Sequence, residues 1–137
     1  VQIGIRGGQN FADGLDYSRD NGMRVITIEE FDDLGWQAVA REAKRVVGNG
    51  PAYLTFDVDG LDPVYTPGTG TPEAGGITMR EAQRLIRELT GLDFVGGDVV
   101  EVSPPLDPSG NTALNAATIL FEMLCILAIR VSECRSG

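Results

Sequence analysis

The sequence predicts a single α/β domain in which parallel strands alternate with helices. Three observations lead there. Segments of strand character and segments of helical character follow one another in turn, the order that yields parallel strands with helices on their faces. With 137 residues and 42% hydrophobic side chains, the chain has the length and apolar content for one core. Two successive strands end in acids, Asp57 and Asp59 on one and Glu101 on the next, at the carboxyl ends where sheets of this kind bind ligands.

Val1 to Arg6 reads as a short strand, and Phe11 to Asp20 as a helix or helical turn closed by Asn21-Gly22. Arg24 to Ile28, rich in β-branched residues, is the second strand. Asp32 or Asp33 is expected to cap a helix reaching Val47, with Gly48 in the terminating position. Pro51 to Phe56 is the strand that delivers Asp57. A loop dense in Gly, Pro and Thr runs from Gly60 to Ile77. Connections in such folds commonly take about 2–6 residues, so this length predicts a functional loop.

Thr78-Met79-Arg80-Glu81 is a capping box opening a helix whose apolar face is Ala82, Leu85, Ile86 and Leu89, closed by Gly91. Phe94 to Val102 is the last strand, and Asn111 or Thr112 starts the last helix. Ala113 to Ile129 is apolar almost all round, but about 17 residues interrupted by Asn115 and Glu122 make a poor membrane span. A buried or subunit-facing helix is the expectation. Trp36 and Met23 read as core or interface.

Net charge is −9, which argues against nucleic acid and anionic membranes as partners and is compatible with a cationic substrate. Cys125 and Cys134 offer neither metal spacing nor a disulfide framework, so a reducing cytoplasmic setting is expected. No signal peptide is evident, and the chain starts directly in a strand at Val1 without an initiator methionine. It is expected to be part of a longer or processed protein.

Chemistry concentrates at Asp57-Val58-Asp59. Side chains alternate along a strand, so the two carboxylates are expected to point the same way. Like charges that close repel unless a divalent metal or a cationic substrate lies between them. The chain has no histidine, so a carboxylate–imidazole metal site would need ligands from elsewhere.

The string Phe56-Asp57-Val58-Asp59-Gly60-Leu61-Asp62-Pro63 continues through Pro67-Gly68-Thr69-Gly70-Thr71-Pro72-Glu73 and Gly75-Gly76-Ile77-Thr78. With Gly97-Asp98-Val99-Val100-Glu101-Val102-Ser103-Pro104, Asp107 to Leu114 and Phe121 to Cys125, it resembles the ureohydrolase family of arginases and agmatinases over nearly the whole chain. The resemblance implies a three-layer αβα sandwich around a mainly parallel sheet, with residues 1–137 as the C-terminal part of one domain. It implies hydrolysis of a guanidino compound to urea and an amine with two Mn²⁺ ions, in a homo-oligomer, trimeric or hexameric.

By the same resemblance Asp57 is a catalytic carboxylate bridging both ions, and Asp59 a ligand of one. Oxygen-rich sites with some imidazole suit Mn²⁺. Glu101 is similar to the acid that grips the guanidinium, a planar cation best met by a carboxylate accepting two parallel bonds. Thr71 is expected beside the substrate or a ligand, or as a plain turn residue. Glu73 is shared by many agmatinase-like members and tilts the subfamily; Pro72-Glu73, Ser103-Pro104-Pro105 and Ser109 to Leu114 favour agmatinase over arginase. Asp62 and Asp98 read as structural. Agmatine, guanidinobutyrate and guanidinopropionate all stay open as substrates. The family's remaining ligands, two histidines and two aspartates, and a proton-shuttling histidine belong to an N-terminal half, and none can be placed on this chain.

Two rival readings follow from the same residues. Haloacid-dehalogenase-like phosphatases also begin with an apolar strand and Asp-x-Asp-Gly. Here Leu61-Asp62-Pro63 departs from the threonine expected next, and the only lysine, Lys44, lies upstream of the motif that should precede it. The other reading is a non-catalytic fragment or degenerate homologue that keeps the fold and an assembly surface.

Overall fold

The computed structural model describes residues 1–8 and 13–136, the last four of these by backbone alone. Strand β1 (Gln2–Ile5) lies parallel to β2 (Val25–Thr27), with Gln2 opposite Val25 and Ile3 opposite Ile26. Strand β3 (Pro51–Asp57) lies parallel to β4 (Asp93–Val100), in a register that closes with Asp57 opposite Val100. Parallel neighbours need crossover connections. Helix α1 (Asp16–Asp20) lies between β1 and β2, α2 (Ile28–Val47) between β2 and β3, and α3 (Met79–Glu88) between β3 and β4. Helix α4 (Asn111–Ser136) follows β4. Of the expected Phe11–Asp20 helix, Phe11 and Ala12 lie outside the described residues.

The fold is α/β with parallel strands, as expected. One core joins the helices to the strands, with Phe31 and Val39 of α2, Ile86 of α3, Phe94 of β4, and Ile119 and Met123 of α4 all buried in it. The opposite face of β3 is bare: Tyr53, Thr55 and Asp57 are exposed along it. The described residues thus supply the strands and one helical layer over them.

Helix α2 departs from expectation at both its start and its middle. Its cap is Thr27, the last residue of β2, whose hydroxyl accepts the Glu30 N–H at 3.4 Å. The strand passes directly into the helix, so Asp32 and Asp33 lie inside it and are exposed. Gly35, at φ 74° and ψ 153°, then breaks α2 into two stretches, a backbone state open to glycine without a Cβ penalty. Trp36 follows, partly buried against the core with the Arg84 guanidinium 5.6 Å from its ring centroid, while Met23 is exposed.

Helix α3 begins at the expected capping box: Thr78 accepts the Glu81 N–H and Glu81 accepts the Thr78 N–H. Helix α4 begins at Asn111 over the Asp107 carboxylate, which accepts the N–H groups of Thr112 (3.1 Å) and Ala113 (2.9 Å). By length and composition alone, Asn111–Ser132 is apolar enough to cross a membrane. One face of it packs into the core. Ala116, Ile119, Met123 and Ile126 are buried, and the buried Glu122 accepts from Arg87 and Gln83 of α3. Its outer face turns Leu114, Phe121 and Leu124 to solvent. Cys125 is a free thiol.

Candidate active site

Strand β3 ends at Asp57, and Val58–Gly60 wind into a 3-10 turn instead of prolonging the strand. A turn, not strand alternation, therefore brings the two carboxylates together. Asp57 Oδ1 accepts the Asp59 N–H at 3.0 Å. Val58 between them is fully buried, and its carbonyl accepts the Thr66 hydroxyl at 2.9 Å, which anchors the turn. The Thr71 hydroxyl reaches back across the loop and donates to Asp59 Oδ2 at 2.7 Å.

Glu101 does not lie in the strand as expected. Strand β4 stops at Val100, and Glu101 takes φ 66°, the one positive φ among the described non-glycine residues. Such a state costs of order 1–3 kcal/mol and persists where the surroundings impose it, commonly at functional sites. The tie beyond it is the Ser103 N–H, which donates to the Gly68 carbonyl at 2.8 Å.

Electrostatically the rim is under tension. Asp57 is exposed as a residue but its carboxyl is partly desolvated, and this, followed by the charges of Asp59 and Glu101, pushes it up to about 6 against the hydrogen bond from the Asp59 N–H. Among the described residues no ion pair reaches Asp57, Asp59 or Glu101.

The remaining sequence candidates fall into supporting positions. Asp62 organises the loop, accepting the N–H groups of Val64 (3.0 Å), Gly75 (2.8 Å) and Gly76 (3.3 Å). Asp98 accepts the Tyr53 hydroxyl at 3.1 Å on the bare face of the strand pair, and its other oxygen is buried without a partner among the described residues. Glu73 stacks its side chain close over Gly7, and its carbonyl is taken by Arg6. Arg6 itself escaped sequence reasoning. It contacts residues more than fifty positions away, and no local pattern announces that.

The residues fit part of a metal centre. Carboxylate oxygens suit a hard divalent cation, and Asp57 and Asp59 present theirs within one turn. Among the described residues, however, no group of three or more His, Cys, Asp or Glu side chains is placed to hold an ion. Two carboxylates leave most of a six-coordinate shell unfilled.

Comparison with known proteins places this geometry in a family. The Arginase family model matches residues 1–125. Guanidinopropionase of Pseudomonas aeruginosa is 59% identical over 128 residues, covering 93% of this chain and 40% of that protein. A mitochondrial agmatinase of Gallus gallus is 50% identical over 127 residues, covering 93% of this chain and 37% of that protein. The solved structure of proclavaminate amidino hydrolase from Streptomyces clavuligerus superposes with a TM-score of 0.89 at 44% identity, over 94% of this chain and 43% of that one. The chain thus spans about 40% of the length of the curated relatives it matches. It belongs to the arginase family.

Proposed function

We propose that these residues form the carboxylate side of a two-Mn²⁺ amidinohydrolase centre, as the C-terminal part of a longer protein that hydrolyses a linear guanidino compound to urea and an amine. The observation that carries this reading is the rim itself: Asp57 and Asp59 meet within one turn, the charge of Glu101 acts on Asp57, and no ion pair from the described residues reaches any of the three. A positively charged occupant relieves that repulsion.

In this reading Asp57 and Asp59 hold the ions. When bound, the metal pair would supply Lewis acidity and lower the pKa of a coordinated water. Thr71 keeps Asp59 turned to its task by occupying one of its oxygens. Glu101 faces the substrate guanidinium, where a carboxylate matches the parallel N–H groups and opposes their charge. Its positive φ supports this, because strain at a single acid calls for a return elsewhere. Agmatine, guanidinobutyrate and guanidinopropionate are the substrates to try, in keeping with the names of the relatives. The exposed Leu114, Phe121 and Leu124 on α4 favour homo-oligomeric assembly, and the free Cys125 suits a reducing cytoplasm.

A phosphatase at the same motif is disfavoured, since no basic side chain of the described residues pairs with its acids and the family is a different one. Urea release from the three substrates by the full-length protein, with and without added Mn²⁺, tests the proposal. Asp57→Asn should abolish nearly all turnover and bound Mn²⁺. Two tightly held ions in that variant would refute the assignment. The isolated 137-residue chain should bind Mn²⁺ weakly and release no urea, because the shell is incomplete.

A further inference from the structure

Arg6 stands one residue beyond β1, and its guanidinium donates to backbone carbonyls drawn from three separate segments. Nη2 donates to the carbonyls of Asp59 (2.6 Å), Leu61 (3.1 Å) and Glu73 (2.5 Å). Nε donates to those of Glu73 (3.2 Å) and Ala74 (3.3 Å), and Nη1 reaches those of Gly60 and Gly4 at 3.4 Å. A planar cation with five N–H groups in a rigid fork is the side chain able to span such a set. It grips the loop where it leaves Asp57 and again where it returns after Thr71.

Two further features converge on this seat. A Cβ on Gly76 would lie 2.5 Å from the Asp62 nitrogen and the Leu61 carbonyl carbon and 2.7 Å from Arg6 Nη2, so glycine lets the returning limb close on both the opposite backbone and the guanidinium. Asp62 binds the returning limb through Gly75 and Gly76, while Asp62 N–H donates to the Ile77 carbonyl (3.0 Å) and Ile77 N–H to that of Gly60 (3.1 Å). The loop's two limbs are therefore locked in register by one cation and one anion.

We propose that Arg6 is a positioning residue for the carboxylate rim: by fixing the 59–61 and 73–76 limbs together it keeps the Thr71 hydroxyl on Asp59, and thereby sets the direction in which the Asp59 carboxylate points. This rests on the reading above that Asp59 holds one ion. The Thr71–Asp59 bond spans 12 residues, and nothing local enforces it. The role is geometric. Lysine would keep the charge but concentrate its donors at one point, so it cannot bridge the same carbonyls.

Hydrogen exchange on the full-length protein without added metal, with Arg6→Gln and Arg6→Lys, is the first arm of the test. We expect the amides of Asp62, Gly75, Gly76 and Ile77 to exchange roughly tenfold faster or more in both variants, with those of α3 and α4 unchanged. The second arm is metal binding and turnover by the full-length protein. There both variants should weaken one of two Mn²⁺ ions by roughly tenfold and lower kcat with KM little altered. Unchanged exchange at the four amides overturns the proposal. So does restoration by lysine, or a loosened loop with metal affinity and kcat intact, which would make Arg6 a scaffold only. A wild-type protein without Mn²⁺-dependent turnover would instead sink the functional reading, and the exchange arm would still decide whether Arg6 clamps the loop.

Discussion

Two acids of this chain meet opposite fates. Glu122, buried between α3 and α4, accepts from Arg87 and Gln83, and those donors hold its carboxyl below the usual range despite burial. Asp57, at the rim of the β3–β4 pair, has a hydrogen bond from its own turn, and partial desolvation with two neighbouring acids pushes it up to about 6. Where the helical layer needs an acid for its packing, the sequence supplies a cation to match. At the rim it supplies Arg6, yet that guanidinium is taken up by carbonyls. The difference teaches that the loop at the rim is ordered by means that leave its carboxylates unneutralised, which is what the proposed centre requires.

Among variants that should keep their metal, the largest effect should come from Glu101. Glu101→Gln keeps the shape and one acceptor oxygen but removes the charge opposing a guanidinium. Losing one side of a buried charged pair commonly costs ~2–5 kcal/mol. That corresponds to a loss of roughly 30- to several-thousand-fold in kcat/KM, measured on the full-length protein with its best guanidino substrate. Metal content should survive. A variant of full activity, or one that loses its ions, would show that Glu101 is no clamp.

Glu122→Gln probes the compensated acid. It gives up the charge that Arg87 and Gln83 answer, and hydrogen bonds to charged groups contribute about 1.5–3 kcal/mol. Denaturant unfolding of the chain at pH 7 should show destabilisation in that range, with no direct change at the rim. Thr71→Val is smaller. It frees Asp59 Oδ2, and we expect kcat/KM to fall roughly 3- to 10-fold with an unchanged melting temperature, about 1 kcal/mol. Smallest is Thr69→Val. The Thr69 hydroxyl is buried and has no partner among the described residues, so an isosteric methyl should leave stability unchanged or slightly higher in thermal melts.

Much of this was legible in the sequence wherever the cause was local. The Thr78–Glu81 box and the alternation of strands and helices rest on patterns within short segments, and the structure has both as expected. The start of α2 was not, because Asp32 and Asp33 resemble caps as well as Thr27 does, and only the end of β2 decides between them. The single Gly35 within a helical pattern gave no sign of its positive φ. At the site, the identity of the carboxylates could be read, but not how they meet: a 3-10 turn replaces the strand, and Glu101 leaves β4 in a strained state. Arg6 was invisible for the opposite reason, since its partners become neighbours only after folding.

The most direct measurement of the contrast between the two acids is the pH dependence of unfolding of the metal-free chain and its Asp57→Asn variant, with Glu122→Gln alongside. The sign follows from linkage. Asp57 titrates higher in the folded state than an ordinary carboxyl of about 3.9, so its favourable contribution is complete below that value and is lost as pH rises through about 6. Glu122 titrates lower when folded, so its contribution is present above the ordinary glutamate value and is lost as pH falls below it. We therefore expect Asp57→Asn to be more stable than the wild type at pH 7, with the gap closing toward pH 4, while Glu122→Gln is less stable at pH 7. An Asp57→Asn variant that is less stable than the wild type at pH 7, or whose difference does not change with pH, would contradict a rim of uncompensated charge.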